Sequence, residues 1–181
     1  WLLIWKPAEH ISVCWVKKKI PLIPDFSSEG YPTLYTDAER LFQLLSIFLD
    51  NAISYASEGS SIELQVVFDG KELIFSVIDH GKGISKEDQP FIFDRFYCAD
   101  SSRTERQHFG LGLSIAKELA KLLGGTVGFS ETKGGGATFY LKLPVWNQKA
   151  ISTWDYPLFL IAFFLFHTLV VYNINVFLLE N

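Results

Sequence analysis

Leu73-Ile74-Phe75-Ser76-Val77-Ile78-Asp79-His80-Gly81-Lys82-Gly83-Ile84 is the stretch on which the reading of this chain turns. A run of strand-forming residues ends at an acidic side chain, and two glycines follow at alternate positions. An aspartate at a strand end can accept a hydrogen bond from an exocyclic amine such as that of adenine. Spaced glycines permit close backbone approach to a ligand and unusual φ values. The same residues also suit a tight turn with a capping Asp, so their neighbours must decide.

Toward the N-terminus, Ile62-Glu63-Leu64-Gln65-Val66-Val67-Phe68 mostly alternates apolar and polar residues, and Asp69-Gly70 is a two-residue hairpin signal. Before it, Thr36-Asp37-Ala38-Glu39 has the capping-box pattern, with Thr36 as N-cap and Glu39 reaching back. Leu41, Leu44, Leu45, Phe48, Leu49 and Ala52 then form a helical stripe that must face a core. Glu58-Gly59-Ser60 ends the helix. Asp50-Asn51-Ala52 lies on it, and the amide oxygen of Asn51 is a suitable hard ligand for Mg²⁺. Taken alone, Asn51 also reads as a polar residue on a helix flank.

Toward the C-terminus, residues 80–109 are polar and broken by Gly and Pro, as functional or mobile loops are. Within them Phe91-Ile92-Phe93-Asp94-Arg95-Phe96-Tyr97 is an aromatic cluster. It reads either as the anchor of a lid over a ligand or as a satellite hydrophobic cluster. Gly110-Leu111-Gly112-Leu113-Ser114-Ile115-Ala116 opens a second amphipathic helix over residues 113–123, stopped by Gly124-Gly125. Backbone N–H groups at such a helix start favour an anion, and a phosphate would fit. Residues 126–130 and 137–143 read as a second hairpin, joined through Lys133-Gly134-Gly135-Gly136.

The remaining segments bound the function. Ile11-Ser12-Val13-Cys14-Trp15-Val16 reads as a strand, and the Pro-rich residues 21–32 as a loop. Among 181 residues the net charge is −4, which argues against a nucleic-acid partner. The short run Lys17-Lys18-Lys19 reads as a solvated strand end. Cys14 and Cys98 have no metal-ligand spacing and read as thiols of a reducing compartment. No secretory signal is visible. The sequence contains no methionine, from which a fragment, a processed product or an incomplete gene is expected.

Residues 156–171 carry no formal charge, and residues 156–176 form a candidate transmembrane helix. Lys142 and Lys149 before this tail would keep the preceding domain cytoplasmic, at the inner face of a bacterial membrane. A packed helix and translated sequence from a damaged gene are the alternatives.

Each motif is weak alone, but their order is specific. The array resembles the histidine-kinase ATPase domain of the GHKL superfamily, which also holds type II topoisomerases and a heat-shock chaperone. Asp50-Asn51-Ala52 matches the N box and Asp79-His80-Gly81-Lys82-Gly83 the G1 box. Phe93-Asp94-Arg95-Phe96-Tyr97 matches the F box and Gly110-Leu111-Gly112-Leu113-Ser114 the G2 box. Gly134-Gly135-Gly136-Ala137-Thr138-Phe139, running to Leu143-Pro144, looks like the closing G3 element. The match covers about residues 8–144.

The resemblance implies a two-layer α/β sandwich of the GHKL (Bergerat) type, a mixed sheet with helices on one face and a flexible ATP lid. It divides the chain into an N-terminal strand and loop (1–36), an ATPase core (37–146, lid about 85–109) and an apolar tail (147–181). By resemblance Asn51 would coordinate Mg²⁺ and Asp79 would recognise the adenine amine. Gly81 and Gly83 would shape the pocket, Gly110 and Gly112 would let amides approach the phosphates, and Tyr55 would lie near base or ribose. Ile84, Phe96, Leu111, Leu113 and Thr138 would complete the nucleotide-binding set.

The implied chemistry is transfer of the γ-phosphoryl of Mg-ATP to a histidine nitrogen, mostly by positioning and charge neutralisation. The implied partners are a helical dimerisation domain carrying that histidine, in cis or in trans, and a response regulator. None of His10, His80, His108 or His167 has the expected phosphoacceptor context, so all four read as ordinary residues. The chain departs from the family at Ile47 (usually Asn), Ser54 (usually Lys) and Cys98 (often Arg); Lys82, Arg103 and Arg106 are candidates to compensate. These losses keep open a non-catalytic nucleotide-binding or interaction module, a degenerate or truncated kinase fragment. A serine kinase of the anti-sigma kind is disfavoured by the F box.

Overall fold

A computed structural model of the protein describes residues 20–25, 31–32, 34–57, 59–98 and 110–145. The strand expected over residues 11–16, the tail with its candidate span, and Arg103, Arg106, His10, His108 and His167 lie outside the described residues. Among the described residues no helix is long and apolar enough to cross a membrane.

The elements run β1 (Leu22–Asp25), α1 (Ala38–Tyr55), β2 (Ile62–Phe68), β3 (Glu72–Asp79), a 3₁₀ turn (Gln89–Phe91), α2 (Gly112–Leu122), β4 (Thr126–Glu131) and β5 (Ala137–Pro144). The five strands form one mixed sheet in the order β1-β2-β3-β5-β4. β1 pairs parallel with β2, and the other pairs are antiparallel.

Sheet register sets which side chains meet the helices. Leu64 pairs with Val77 and Val66 with Phe75, while Phe75 pairs with Leu141 and Val77 with Phe139. All six are buried, and with Ile62, Leu73 and Leu143 they make one apolar face. The alternating residues Glu63, Gln65, Ile74, Tyr140 and Lys142 stay half-buried on the opposite face. The stripe of α1 lies on the apolar face, with Leu41, Leu44, Leu45, Phe48, Leu49, Ala52 and Ile53 all buried. Ala116, Leu119 and Ala120 of α2 close the same core. Phe139 joins the layers, with ring centroids 5.6 Å from Phe48, 5.8 Å from Phe129 and 6.4 Å from Phe93.

Three sequence expectations need correction. The N-cap of α1 is Asp37, not Thr36; its Oδ1 accepts from the N–H groups of Glu39 and Arg40, each at 3.1 Å. The helix begins at Ala38, so Glu39 sits too early in the first turn to complete a capping box. The first hairpin turns at Gly70-Lys71 rather than Asp69-Gly70. Asp69 precedes the turn and its Oδ1 accepts from Lys71 N (2.9 Å) and Glu72 N (2.8 Å), while Gly70 takes φ 92°. The Pro-rich stretch is not all loop, because β1 lies within it. Pro24 is tolerated there because β1 lies at the edge of the sheet that the described strands form.

Candidate functional site

β3 ends on the buried face at Asp79, which is 2 % exposed. Its Oδ1 accepts two backbone N–H donors, Gly81 at 2.9 Å and Ala137 at 3.2 Å. Both fall on one oxygen, so Oδ2 is left for another donor. Burial pushes the carboxyl pKa up from its usual range, against the opposing pull of the two N–H bonds and of His80. Asp79 is thus a fixed acceptor in a poorly solvated place.

Glycines bring three backbones together around it. A methyl group on Gly81 would overlap the carbonyl of Tyr55, the last residue of α1. One on Gly136, at φ 108°, would overlap the carbonyl of Asp79. One on Gly83, at φ 71°, would stand 3.2 Å from the Gly136 carbonyl oxygen. The G1 turn is therefore clamped between the end of α1 and the β4–β5 turn. Gly136 and Ala137 belong to the site as much as Gly81 does. The run of glycines before β5 is the signal from which their place could have been read.

Asn51 and Tyr55 lie one turn apart on α1 and share a face. The Nδ2 atom of Asn51 is buried and has no hydrogen-bond partner among the described residues. A buried amide donor without a partner is costly in an ordinary core. Tyr55 is 38 % exposed, and the Lys82 ammonium lies 5.7 Å from its ring centroid.

The glycine pair stands at the start of α2. Gly110 takes φ 67°, and a methyl there would stand 2.7 Å from both Phe96 C and Tyr97 O. Gly112 starts α2 and faces Ile47, whose Cγ2 would lie 3.4 Å from an added methyl. Leu111 is the helix N-cap and its carbonyl accepts from Ser114 Oγ at 2.8 Å. Leu113 and Ile84 pack against the core and hold these turns.

The aromatic segment divides into anchor and exposed parts. Ile92 is buried and Phe93 packs edge-on against Phe139. Phe96 is 73 % exposed at φ 64° and donates its N–H to Gly110 O at 2.9 Å. Tyr97 donates its hydroxyl to Asp88 Oδ1, and its ring lies 5.6 Å from that of Phe91. Ser85 Oγ donates to Asp88 Oδ2 at 2.7 Å. Gln89 Nε2 bridges to Glu131 Oε1 at 3.0 Å, tying this segment to β4.

Tyr55, Asp79, Gly81 and Gly83 thus meet around the end of β3, and Asn51 lies one turn before Tyr55 on α1. Gly110, Leu111 and Gly112 stand beside α1 at Ile47. Thr138 is not brought in: it pairs with Ile78, one residue out of phase with Asp79. Its hydroxyl lies 2.9 Å from that of Thr132 on the opposite sheet face. His80 likewise turns outward, with Nε2 2.9 Å from Glu63 Oε1.

A sheet with helices on one face, a buried acceptor at a strand end and glycine-shaped turns define an ATP-site architecture. Residues 36–147 match the histidine kinase-, DNA gyrase B-, and HSP90-like ATPases, and the chain belongs to that family. It is 40 % identical over 121 residues to the sensor protein CiaH of Streptococcus pneumoniae serotype 4, covering 66 % of this chain and 27 % of CiaH. It is 38 % identical over 138 residues to the signal transduction histidine-protein kinase ArlS of Staphylococcus epidermidis, covering 73 % of this chain and 30 % of ArlS. The chain therefore spans less than a third of these relatives. Among solved structures, full-length ShkA in complex with AMPPNP superposes with a TM-score of 0.64 at 31 % identity, over 82 % of this chain and 30 % of ShkA. The catalytic domain of the histidine kinase ThkA shares the fold, with a TM-score of 0.61 at 22 % identity, over 77 % of this chain and 92 % of that domain. The domain is of the ATP-binding catalytic type found in two-component sensor histidine kinases.

Proposed function

We propose that this domain binds Mg-ATP and transfers the γ-phosphoryl group to a histidine on a helical dimerisation domain, from which a response regulator receives it. The observation that carries the reading is Asp79, a buried carboxylate with one oxygen held by Gly81 and Ala137 and the other left for an adenine amine. The complex of the relative ShkA with AMPPNP agrees with an adenine nucleotide as the ligand.

In this reading Tyr55 lies beside base or ribose, and Ile84 and Leu113 back the pocket. Gly110, Leu111 and Gly112 present backbone N–H groups to the phosphates at the start of α2. Phe96 lines the lid side. Asn51 is the candidate to hold Mg²⁺ through its amide oxygen, since Mg²⁺ takes oxygen ligands and needs only one or two from protein beside water and phosphate oxygens. When bound, the ion would neutralise phosphate charge. The residues of this chain would orient the nucleotide and exclude water from it. We place the domain at the cytoplasmic face of a bacterial membrane.

Calorimetric titration of the chain with ATP, with and without Mg²⁺, tests the pocket, with Asp79→Asn as control. Mg-dependent binding that the control loses is the expected result. No binding by the folded chain would refute the reading.

A second reading is favoured by two observations. Ser54 Oγ, at the position where the family resemblance implies Lys, donates to Asp50 O at 2.8 Å, and apolar Ile47 faces Gly112. Both fit a nucleotide-binding module that transfers slowly or not at all. Labelled γ-phosphate supplied with a helical domain in trans separates the two: an acid-labile phosphohistidine marks the kinase, and binding without label marks the module.

A further inference from the structure

The segment from Ser85 to Tyr97, the root of the proposed lid, meets the wall around Asp79 at Gln89. This residue opens the 3₁₀ turn, and its own N–H donates to Ser85 O at 3.1 Å. Its side-chain amide reaches two elements at once: Nε2 donates to Ile84 O at 3.2 Å and to Glu131 Oε1 at 3.0 Å. Both partners are acceptors, so only the amide nitrogen can face them, and both of its hydrogens are used. The partners belong to different halves of the wall. Ile84 follows Gly83 at the end of the G1 turn. Glu131 ends β4 and leads into the β4–β5 turn, which closes through Thr132 N to Gly136 O (3.3 Å) and Gly135 N to Thr132 O (3.0 Å). The halves meet where Gly83 faces Gly136. They also supply the two donors on Asp79, Gly81 from one and Ala137 from the other.

Resting on the nucleotide reading above, we infer that Gln89 is a positioning residue of this site, which clips the lid root to both halves of the wall and sets how long a nucleotide stays. The glycine contacts fix how closely the two halves approach, and they involve no part of the root. Phe93 ties the root to the core through an apolar edge-on contact with Phe139. Gln89 ties it to the wall through polar bonds, one part-buried and one exposed. Each such bond is weak, so the root can leave the wall when the ligand leaves. Because one nitrogen makes both bonds, they form and break as a unit. A carboxylate in place of the amide would face two acceptors and be repelled by both.

The test is stopped-flow release of N-methylanthraniloyl-ADP from the full chain in Mg²⁺, chased with unlabelled ADP. Gln89→Ala removes both bonds and should speed release about threefold. Gln89→Glu adds repulsion and should speed it about fivefold, with association little changed. Combining Gln89→Glu with Glu131→Gln exchanges amide and carboxylate. The bond between the two side chains then returns while the one to Ile84 O does not, so release should fall between the parent and Gln89→Glu. A loss of packing alone would not be rescued by that exchange. Unaltered release in Gln89→Glu, or a double variant as fast as Gln89→Glu, would overturn the inference. Failure of the parent chain to bind the labelled nucleotide would instead overturn the nucleotide reading itself.

Discussion

The wall of the candidate site and the segment proposed as the root of a lid are built by opposite means. Around Asp79, backbone meets backbone at distances that a methyl group would spoil, and the side-chain acceptor is held by main-chain donors. From Ser85 to Tyr97, side chain meets side chain: Ser85, Asp88 and Tyr97 form one cluster, and Gln89 reaches Glu131. The wall is therefore preformed, because no rotamer change can open it. The root is held by several side-chain bonds, exposed or part-buried, that break separately at small cost. A site that must fix a base and yet admit and release a large ligand uses both.

The contrast is broken most sharply at Gly136. Alanine there would combine φ 108° with overlap on the Asp79 carbonyl, and neither atom is a side chain that can move aside. Gly136→Ala should cost about 3–5 kcal/mol of stability in urea unfolding, the sum of backbone strain and overpacking. An unchanged midpoint would mean that the wall yields.

Asp79→Asn comes next and separates stability from function. Asparagine keeps an acceptor for Gly81 and Ala137 but presents an amide where the carboxylate met its ligand. Nucleotide affinity should fall about a hundredfold. Fold stability should hold or rise at neutral pH, because the buried charge is gone. The sign follows from the raised pKa of Asp79: the folded state holds this proton more tightly than the unfolded one. Stability from this group is present below the unfolded value of about 3.8 and is lost as pH rises through the folded value. The parent should thus lose stability relative to the variant as pH rises from 3.8. A parallel pair of stability–pH curves would contradict the assignment.

Phe93 tests the join between wall and root. Its half-buried ring packs on Phe139, the residue that ties the core layers together. Phe93→Ala should cost about 2 kcal/mol, less than truncation of a fully buried ring. It should also speed nucleotide release measured by stopped flow. Destabilisation with unaltered release would place Phe93 in the core alone.

What was legible in the sequence follows the same division. The stripe of α1 and the alternation of β2, β3 and β5 were legible because burial on one face imposes a period. Asp79, Gly81 and Gly83 could be singled out because a fixed spacing of special residues carries them. The N-cap and the first turn were misplaced by one residue, since Thr36-Asp37 and Asp69-Gly70 each offer two adjacent candidates and only geometry chooses. β1 was hidden by its prolines, which an edge strand tolerates. Gly136 and Ala137 as partners of Asp79 were not legible, because the contact joins residues 58 positions apart. Thr138 stands in its motif by spacing alone, and strand alternation turns it to the sheet face opposite Asp79.

The smallest effect belongs to Tyr97, and it sharpens the comparison most. Its hydroxyl donates to Asp88, which lowers the Asp88 pKa more than the Ser85 bond does, and the same bond raises the Tyr97 pKa. Tyr97→Phe removes this one donor and keeps the ring beside Phe91. The Asp88 pKa should then rise toward 3.8 in an NMR titration of its carboxyl carbon. In the parent, the stability from Asp88 is present above 3.8 and is lost as pH falls through the lowered folded value; the variant should lack most of that loss. The neutral-pH melting curve should barely move, because the bond is only part-buried and joins two polar groups near the surface. A drop as large as that of Phe93→Ala would mean that the root is as rigid as the wall, and the division between them would fail.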